Sequence, residues 1–328
     1  MDLGVLKGYG HAARLAGADP ELFAGLAQVS NPAGKRRVLL TGGSGFIGKN
    51  LLDSALVDRY ELVAPSHADL DLMNEDTVLE YIRNGHFDII LHAAAKPGHR
   101  AAKDPSGILY ANTRIFFNLA RAIDNVSKMI VLGSGAIYDS RFYHPLMKEE
   151  EFGLHVPADE HGFSKYVIQK YISNDKRFVD LRLFGVFGKH EEYSIRFISN
   201  MICKSLFDLP LTMHQNRRFS YLFVEDLPAI VGHFIDSDHR HDAYNVTPNE
   251  THELKEIAEI VRAIARKDLP IHIELDGLGP EYSGSNERLR AEWHAVRFTP
   301  FNKAIESLFR WYSENRFMID KNKLLLDR

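Results

Sequence analysis

The stretch at residues 37–52, RVLLTGGSGFIGKNLL, restricts the fold of this chain more than any other. Val38, Leu39 and Leu40 make an apolar run suited to a strand buried on both faces, and Gly42, Gly45 and Gly48 then fall three residues apart at the start of an amphipathic stretch. The spacing predicts strand, tight turn and helix. Gly42 would let the chain turn sharply, Gly45 would let a pyrophosphate approach the backbone, and Gly48 would let the helix lie close on the strand. A helix opening at Phe46 and Ile47 would aim unpaired N–H groups and its positive dipole end at the phosphates. Any surface turn can collect three glycines, but this one follows a strand, opens a helix and leads to a second strand at 61–65, the distance a βαβ unit requires.

Composition narrows the partners. The 328 residues are 45% hydrophobic and 26% charged, enough to bury one large core or two modest ones and unlike a disordered chain. A formal net charge of -4 gives no broad basic field, which argues against nucleic acid and leaves only local basic pockets for phosphates. The single cysteine, Cys203, excludes an internal disulfide, fits a reducing cytoplasm and, beside Ile202, reads as packing. No apolar run approaches a membrane span, and polar residues interrupt the N-terminus where a signal peptide needs an apolar core, so the expectation is a cytoplasmic protein with no membrane partner.

Along the chain, residues 1–34 are rich in Ala and Gly and lack isoleucine, so they look foreign to the main fold: an expression remnant, or an appended helix over 11–27 that packs on the body or on a second subunit. The second strand ends at Pro65, Ser66 and His67 with no acid to bind the ribose 2′-hydroxyl of NAD and repel a 2′-phosphate. That leans towards NADP, with His67 and Lys49 as the positive groups nearby. Asp71 and Leu72 would receive the adenine amino group and its face, unless Asp71 merely caps the helix predicted over 78–83. A buried strand at 87–95 ends in Ala93, Ala94 and Ala95, small enough for a cofactor to lie against the backbone, and a helix over 108–123 carries Asn112. The strand predicted at 129–138 places Ser134 and Tyr138 at its carboxyl end, where ligands bind in an open α/β sheet. A helix at 160–174 carries Lys165, and strands follow at 179–187, 220–224 and 243–246, with helices at 226–235, 253–265 and 302–312. Strands alternating with helices predict an α/β fold, a doubly wound parallel sheet of the Rossmann type with a smaller, mostly helical C-terminal cap.

These motifs come in a telling order: TGGSGFIG at 41–48, HAAA at 92–95, Asn112, GSGAIY at 133–138, Ser164-Lys165, RLFGVFG at 182–188, YLFVEDL at 221–227 and YNVT at 244–247. From Arg37 onward the chain resembles the extended short-chain dehydrogenase/reductases, the NAD-dependent epimerase/dehydratase group that modifies nucleotide sugars. LDLMNED and AAAKPGHR are most similar to its fucose synthase and 4-keto-sugar reductase branch. The resemblance implies NAD or NADP on a domain of residues 35–187 plus about 213–247, and a nucleotide diphosphate sugar on a domain of about 188–212 plus 248–328. It implies hydride transfer at a sugar carbon and a homodimer formed through helices at 109–122 and 160–174. On the substrate side it adds Lys96, Tyr138 and Gly185. Guanidinium forks match phosphate oxygens, which makes Arg196, Arg217, Arg218 and Arg288 candidates for the diphosphate. No metal is expected; the His239, Arg240, His241, Asp242 cluster reads as a solvated loop.

The family's serine, tyrosine and lysine, the last two spaced YxxxK, match Ser134 and Lys165, but His161 stands in the tyrosine's place. A phenol gains from neighbouring positive charge, which lowers its pKa from about 10, whereas an imidazole starts near about 6.5 and the same charge keeps it neutral. Three readings follow: His161 exchanges the proton, Tyr138 or a substrate hydroxyl does so, or hydride chemistry is lost and the chain binds without turnover. The Ser134, Gly135, Ala136 run replaces the Thr-Asp-Glu of dehydratases and disfavours elimination of water. Ala136 and Arg196 stand where fucose synthases use a cysteine and a histidine, which argues against double epimerisation. A 4-keto reductase or a 4-epimerase remains.

Overall fold

The computed structural model describes residues 34–98 and 104–325; the readings for residues 1–33 and for the His99-Arg100 end of AAAKPGHR lie outside them. The chain clusters into two compact units, Met1–Ile137, Pro157–Leu181 and Pro228–Tyr244 forming the first, Tyr138–Val156, Arg182–Leu227 and Asn245–Arg328 the second. Residues 138–156, 182–187, 213–227 and 245–247, expected from the sequence in the dinucleotide-binding domain, thus cluster with the second unit.

A six-stranded sheet organises the fold. Its strands are β1 (Arg37–Thr41), β2 (Glu61–Val63), β3 (Ile89–His92), β4 (Lys128–Ser134), β5 (Phe178–Leu183) and the strand Ala243–Val246, and neighbours run in the order β2, β1, β3, β4, β5, Ala243–Val246. β1 pairs in parallel with both β2 and β3, Leu39 lying opposite Val63 on one side and Ile90 on the other, and β3 pairs in parallel with β4. The chain therefore steps outward from β1 to β2 and returns across β1 to β3, which makes the carboxyl ends of β1 and β3 the switch point where such sheets open a crevice. Val38, Leu39 and Leu40 are fully buried, as a strand covered on both faces requires. On one face Met129, Val131 and Phe178 meet Phe116, Leu119, Ile168 and Ile172 in a continuous core.

Local chemistry sets the ends of these elements. The helix Glu75–Gly85 begins at Asn74, whose side chain accepts the Thr77 N–H at 3.2 Å, and buries Val78 and Ile82 one turn apart. Asn74, not Asp71, is the cap; the Asp71 carboxylate instead accepts the Met73 N–H at 2.9 Å. The helix Ile108–Ala120 follows Gly107, which has no side chain to cap it. Its first amides are satisfied from another helix: Ile108 N–H and Leu109 N–H donate to Glu160 Oε2 at 2.7 and 3.2 Å. β4 ends at Ser134 and not at Tyr138, because the Ser134 hydroxyl oxygen accepts the Ala136 N–H at 3.1 Å and folds 135–137 into a tight turn. Likewise the single strand expected at 179–187 is two: β5 stops at Leu183 and Gly185–Phe187 pairs in parallel with Tyr221–Phe223.

The second unit holds its core between the helices Phe197–Leu206, Leu254–Ala265 and Phe301–Glu314. It also contains the two-stranded pairings of Leu211–Asn216 with Ile271–Leu278 and of Arg218–Phe219 with His252–Glu253. Glu191 is buried beside this core, accepting hydrogen bonds from the Ser199 hydroxyl and, at 3.4 Å, from the Gly188 N–H. Burial pushes its carboxyl up from 4.5 to about 7, against the opposing pull of Ser199 and Arg196. The folded chain then binds a proton at Glu191 that the unfolded chain has released, so this group's contribution is greatest at acid pH and falls by about 3 kcal/mol as pH rises from about 4.5 to 7. Glu191→Gln is expected to flatten that slope in melts recorded across this range and to raise the melting temperature above pH 7.

Candidate active site

The glycine turn is tight where packing demands it and open where a ligand would need it. Gly42 has φ +76°, and a Cβ there would lie 2.7 Å from the Ala94 nitrogen; a Cβ on Gly48 would lie 2.2 Å from the Gly42 carbonyl oxygen. At Gly45 a Cβ would meet only the Gly42 oxygen, at 3.3 Å, so its outer side is bare backbone. Gly45 N–H closes the turn on Gly42 O at 3.0 Å, and Phe46 and Ile47 open the helix Phe46–Leu52.

Across the switch point Thr41 and His92 stand opposite each other at the ends of β1 and β3. The Thr41 Oγ1 to His92 Nδ1 distance is 2.9 Å, and Ala94 N–H donates to Thr41 Oγ1 at 3.3 Å, which draws Ala93 and Ala94 over the glycines. Burial, with a smaller push from Lys165, lowers the His92 pKa to about 3 and keeps the ring neutral. Neither residue has an expected role from the sequence, although two polar residues ending adjacent apolar strands are a signal of one.

Asn112 does not face outward. Its Oδ1 accepts the Lys96 N–H at 2.7 Å and its Nδ2 donates to the Lys96 carbonyl at 3.4 Å, so both ends of the amide clasp the main chain that follows the alanines. The Lys96 ammonium is ion-paired with Asp104 at 2.6 Å. At the end of β2, Asp69 accepts both the amide and the hydroxyl of Ser66, at 3.0 and 2.7 Å. His67 is exposed, 4.0 Å from the Asp71 carboxylate, and Leu72 offers its carbonyl to Asn118 at 2.9 Å.

Ser134 ends β4, and the helix that carries His161 and Lys165 packs against that strand end. Asp159 caps the helix Glu160–Ile172 by accepting the Gly162 N–H at 2.8 Å, which places His161 in its first turn and Lys165 one turn on. A Cβ at Gly162 would lie 2.4 Å from the Ala136 carbonyl oxygen, so the helix start presses directly on the turn that follows Ser134. Lys165 is buried, its Nζ reaching the Leu132 carbonyl at 3.5 Å. Since Ser134 Oγ accepts from Ala136, its own proton is left to donate.

The candidates in the second unit divide. Tyr138 is buried between partners, accepting from Arg182 Nη1 at 2.8 Å and donating to Asn245 Oδ1 at 2.9 Å, and burial pushes its phenol up to about 12. This corrects its reading as a proton source: both functions of the hydroxyl are engaged. Tyr138→Phe is expected to cost about 2 kcal/mol of stability in urea melts while changing kcat by less than about twofold. Gly185 serves packing, since a Cβ there would lie 2.9 Å from the Ser220 oxygen and the Tyr221 ring. Arg288 is committed to Glu149 and Glu150, and Arg218 to Glu253 at 2.6 Å. Arg217 bonds the Pro280 carbonyl at 2.9 Å and lies over the Phe219 ring, while Arg196 is exposed. The 239–242 cluster is a loop in which His239 Nδ1 lies 2.8 Å from the His241 carbonyl oxygen.

A bare glycine turn at the switch point of a doubly wound sheet marks a dinucleotide-binding α/β protein. Sequence comparison supplies the family: residues 38–247 match the NAD dependent epimerase/dehydratase family, and the chain belongs to it. Among its relatives, the GDP-L-fucose synthase of Azorhizobium caulinodans is 34% identical over 115 residues, covering 34% of this chain and 37% of that protein. The GDP-L-colitose synthase of Yersinia pseudotuberculosis is 24% identical over 223 residues, 61% of this chain and 72% of that one. Similar solved structures include a GDP-mannoheptose C4 reductase from Campylobacter jejuni with NADP bound, at TM-score 0.73 and 17% identity over 85% of this chain and 98% of that one. A Thermus thermophilus UDP-glucose 4-epimerase complex with NAD gives 0.72 and 22% over 84% and 99%. At these identities the structures share the fold.

Proposed function

We propose that the chain is an NAD(P)-dependent nucleotide-sugar oxidoreductase, a 4-keto reductase or a 4-epimerase, in which His161 exchanges the proton. The observation that carries this is the packing of the helix start that bears His161 and Lys165 against the end of β4, where Ser134 stands, in a unit whose glycine turn leaves Gly45 bare. The pyrophosphate would lie on the turn at Gly42, Gly45, Phe46 and Ile47, with Ala93, Ala94 and Ala95 against the dinucleotide, Asp71 and Leu72 at the adenine and Lys165 at the nicotinamide ribose. Bound there, the nicotinamide supplies or takes up hydride. Ser134 donates a hydrogen bond to the reacting sugar oxygen, and His161 gives that oxygen a proton in reduction or removes one in oxidation.

Ser66 engages Asp69, the acid that follows β2, which favours NADP, with His67 and Lys49 the exposed basic candidates for its 2′-phosphate. The second unit would hold the nucleotide diphosphate sugar, with Arg196 and Arg217 the arginines least committed to carboxylates. The relatives named as GDP-sugar synthases make GDP sugars the first to try. No helix among the described residues is long and apolar enough to cross a membrane, and we place the protein in the cytoplasm as a homodimer formed through the helices Ile108–Ala120 and Glu160–Ile172.

The test is nicotinamide absorbance with NADPH or NADH and a panel of 4-keto and 4-hydroxy nucleotide sugars, products being identified by mass and NMR. Net cofactor oxidation identifies a reductase, and an altered sugar without net oxidation an epimerase. Cofactor binding with no altered sugar across the panel refutes the assignment in favour of a binding protein.

A further inference from the structure

The face of the sheet that meets the helix Glu160–Ile172 is apolar until its last layer. Met129 and Val131 of β4 and Phe178 of β5 pack there against Ile168 and Ile172. Side chains alternate along a strand, so the next positions on this face are Gly133 and Asp180. On the helix, the same stripe continues from Ile172 and Ile168 back to Lys165.

An acid at such a position needs a reason, because burying a carboxylate is costly unless charge or hydrogen bonds compensate it. Asp180 is 4% exposed and Lys165 8%. The carboxylate lies flat over Gly133, where a Cβ would fall 1.9 Å from Asp180 Oδ1, 2.8 Å from Cγ and 3.0 Å from Oδ2. Only a glycine leaves that space. The neighbouring residue, Leu132, provides the carbonyl that receives the Lys165 ammonium. Burial lowers the pKa of Lys165 and the field of Asp180 raises it, while the lysine's own charge helps to keep His92 neutral. Two residues on, Arg182 gives Nη1 to the Tyr138 hydroxyl.

We propose that Asp180 is a positioning residue of the proton-transfer site: its carboxylate, seated in the space left by Gly133, holds the Lys165 ammonium at the end of β4 and balances its charge. The inference rests on the reading of Lys165 and His161 given above, and it explains how a histidine works beside that lysine. A phenol yields its proton more readily next to a cation, whereas an imidazole must carry positive charge when it takes up a proton, and an unbalanced ammonium opposes this. Asp180 removes that opposition.

The test is NMR titration of the full chain carrying ¹³C-labelled lysine, with Lys165 assigned by its loss in Lys165→Met. The midpoint of Lys165 is expected to fall in Asp180→Asn by at least about one pH unit relative to the unsubstituted protein. With an active substrate, Asp180→Asn is expected to lower kcat at least about tenfold with KM for the sugar nucleotide nearly unchanged, and to add less than about twofold in the Lys165→Met background. A midpoint unmoved by Asp180→Asn, or an equal loss of activity in the Lys165→Met background, overturns the proposal. The last result would mark Asp180 as serving the fold alone. Lack of turnover on every substrate would refute the proposed function, while the titration would still decide the link between Asp180 and Lys165.

Discussion

His161→Phe is expected to lower turnover by about a hundredfold to ten-thousandfold, the usual worth of a positioned acid–base group, while the NADPH dissociation constant stays within about threefold. The ring sits in the first turn of the helix Glu160–Ile172, and phenylalanine keeps its bulk while removing both nitrogens. Binding and chemistry should therefore separate. Fluorescence titration of NADPH reads the first and the rate of product formation the second; equal losses in both would mean that the ring shapes the cofactor site and transfers no proton. His161→Tyr provides the complementary result. The phenol carries its proton farther from the backbone, so a site built around imidazole should lose activity, whereas activity appearing in a previously inert chain would identify a binding protein that had lost its tyrosine.

Gly48→Ala should be strongly destabilising. Its Cβ would meet backbone on three sides, 2.2 Å from the Gly42 oxygen, 2.6 Å from the Gly43 Cα and 2.8 Å from the Gly42 carbonyl carbon, and none of these atoms can swing aside as a side chain does. The helix Phe46–Leu52 must lift from the turn, at an expected cost of about 3 kcal/mol or more in urea melts. Gly45→Ala provides the contrast. Its Cβ meets one oxygen at 3.3 Å, so stability should change by less than about 1 kcal/mol while NADPH affinity falls at least about tenfold. If both variants melt together and bind alike, the three glycines do not divide the work of turning, packing and admitting phosphate.

The sheet and its helices were legible because burial on both faces writes itself as continuous apolar runs: Val38 to Leu40 and Ile89 to Leu91 are strands, and the 243–246 strand was found to the residue. The glycine turn is legible because part of its demand is local: Gly42 takes φ +76° and Gly48 lies against the Gly42 and Gly43 backbone. The strand Ile271–Leu278 was not, since most of its side chains are exposed and its partner, Leu211–Asn216, lies some sixty residues away. Separations of 107, 35 and 138 residues hid the fates of Tyr138, Arg218 and Arg288, whose partners Asn245, Glu253 and Glu150 no local pattern names. Asn112 illustrates the limit differently. Its place on the helix Ile108–Ala120 follows from the apolar spacing, but whether its amide faces a ligand or clasps a neighbouring main chain depends on how the loop after β3 returns over the helix.

The Glu160 carboxylate offers a window on motion at the site. Ile108 and Leu109 hand their amide protons to it, and Glu160 directly precedes His161. Those two protons can trade with deuterium from solvent only when the carboxylate lets go, so their protection times how often the helix Ile108–Ala120 parts from the turn that carries the imidazole. A ligand that tightens this corner should slow both exchanges together, giving a clock for the site that runs without catalysis.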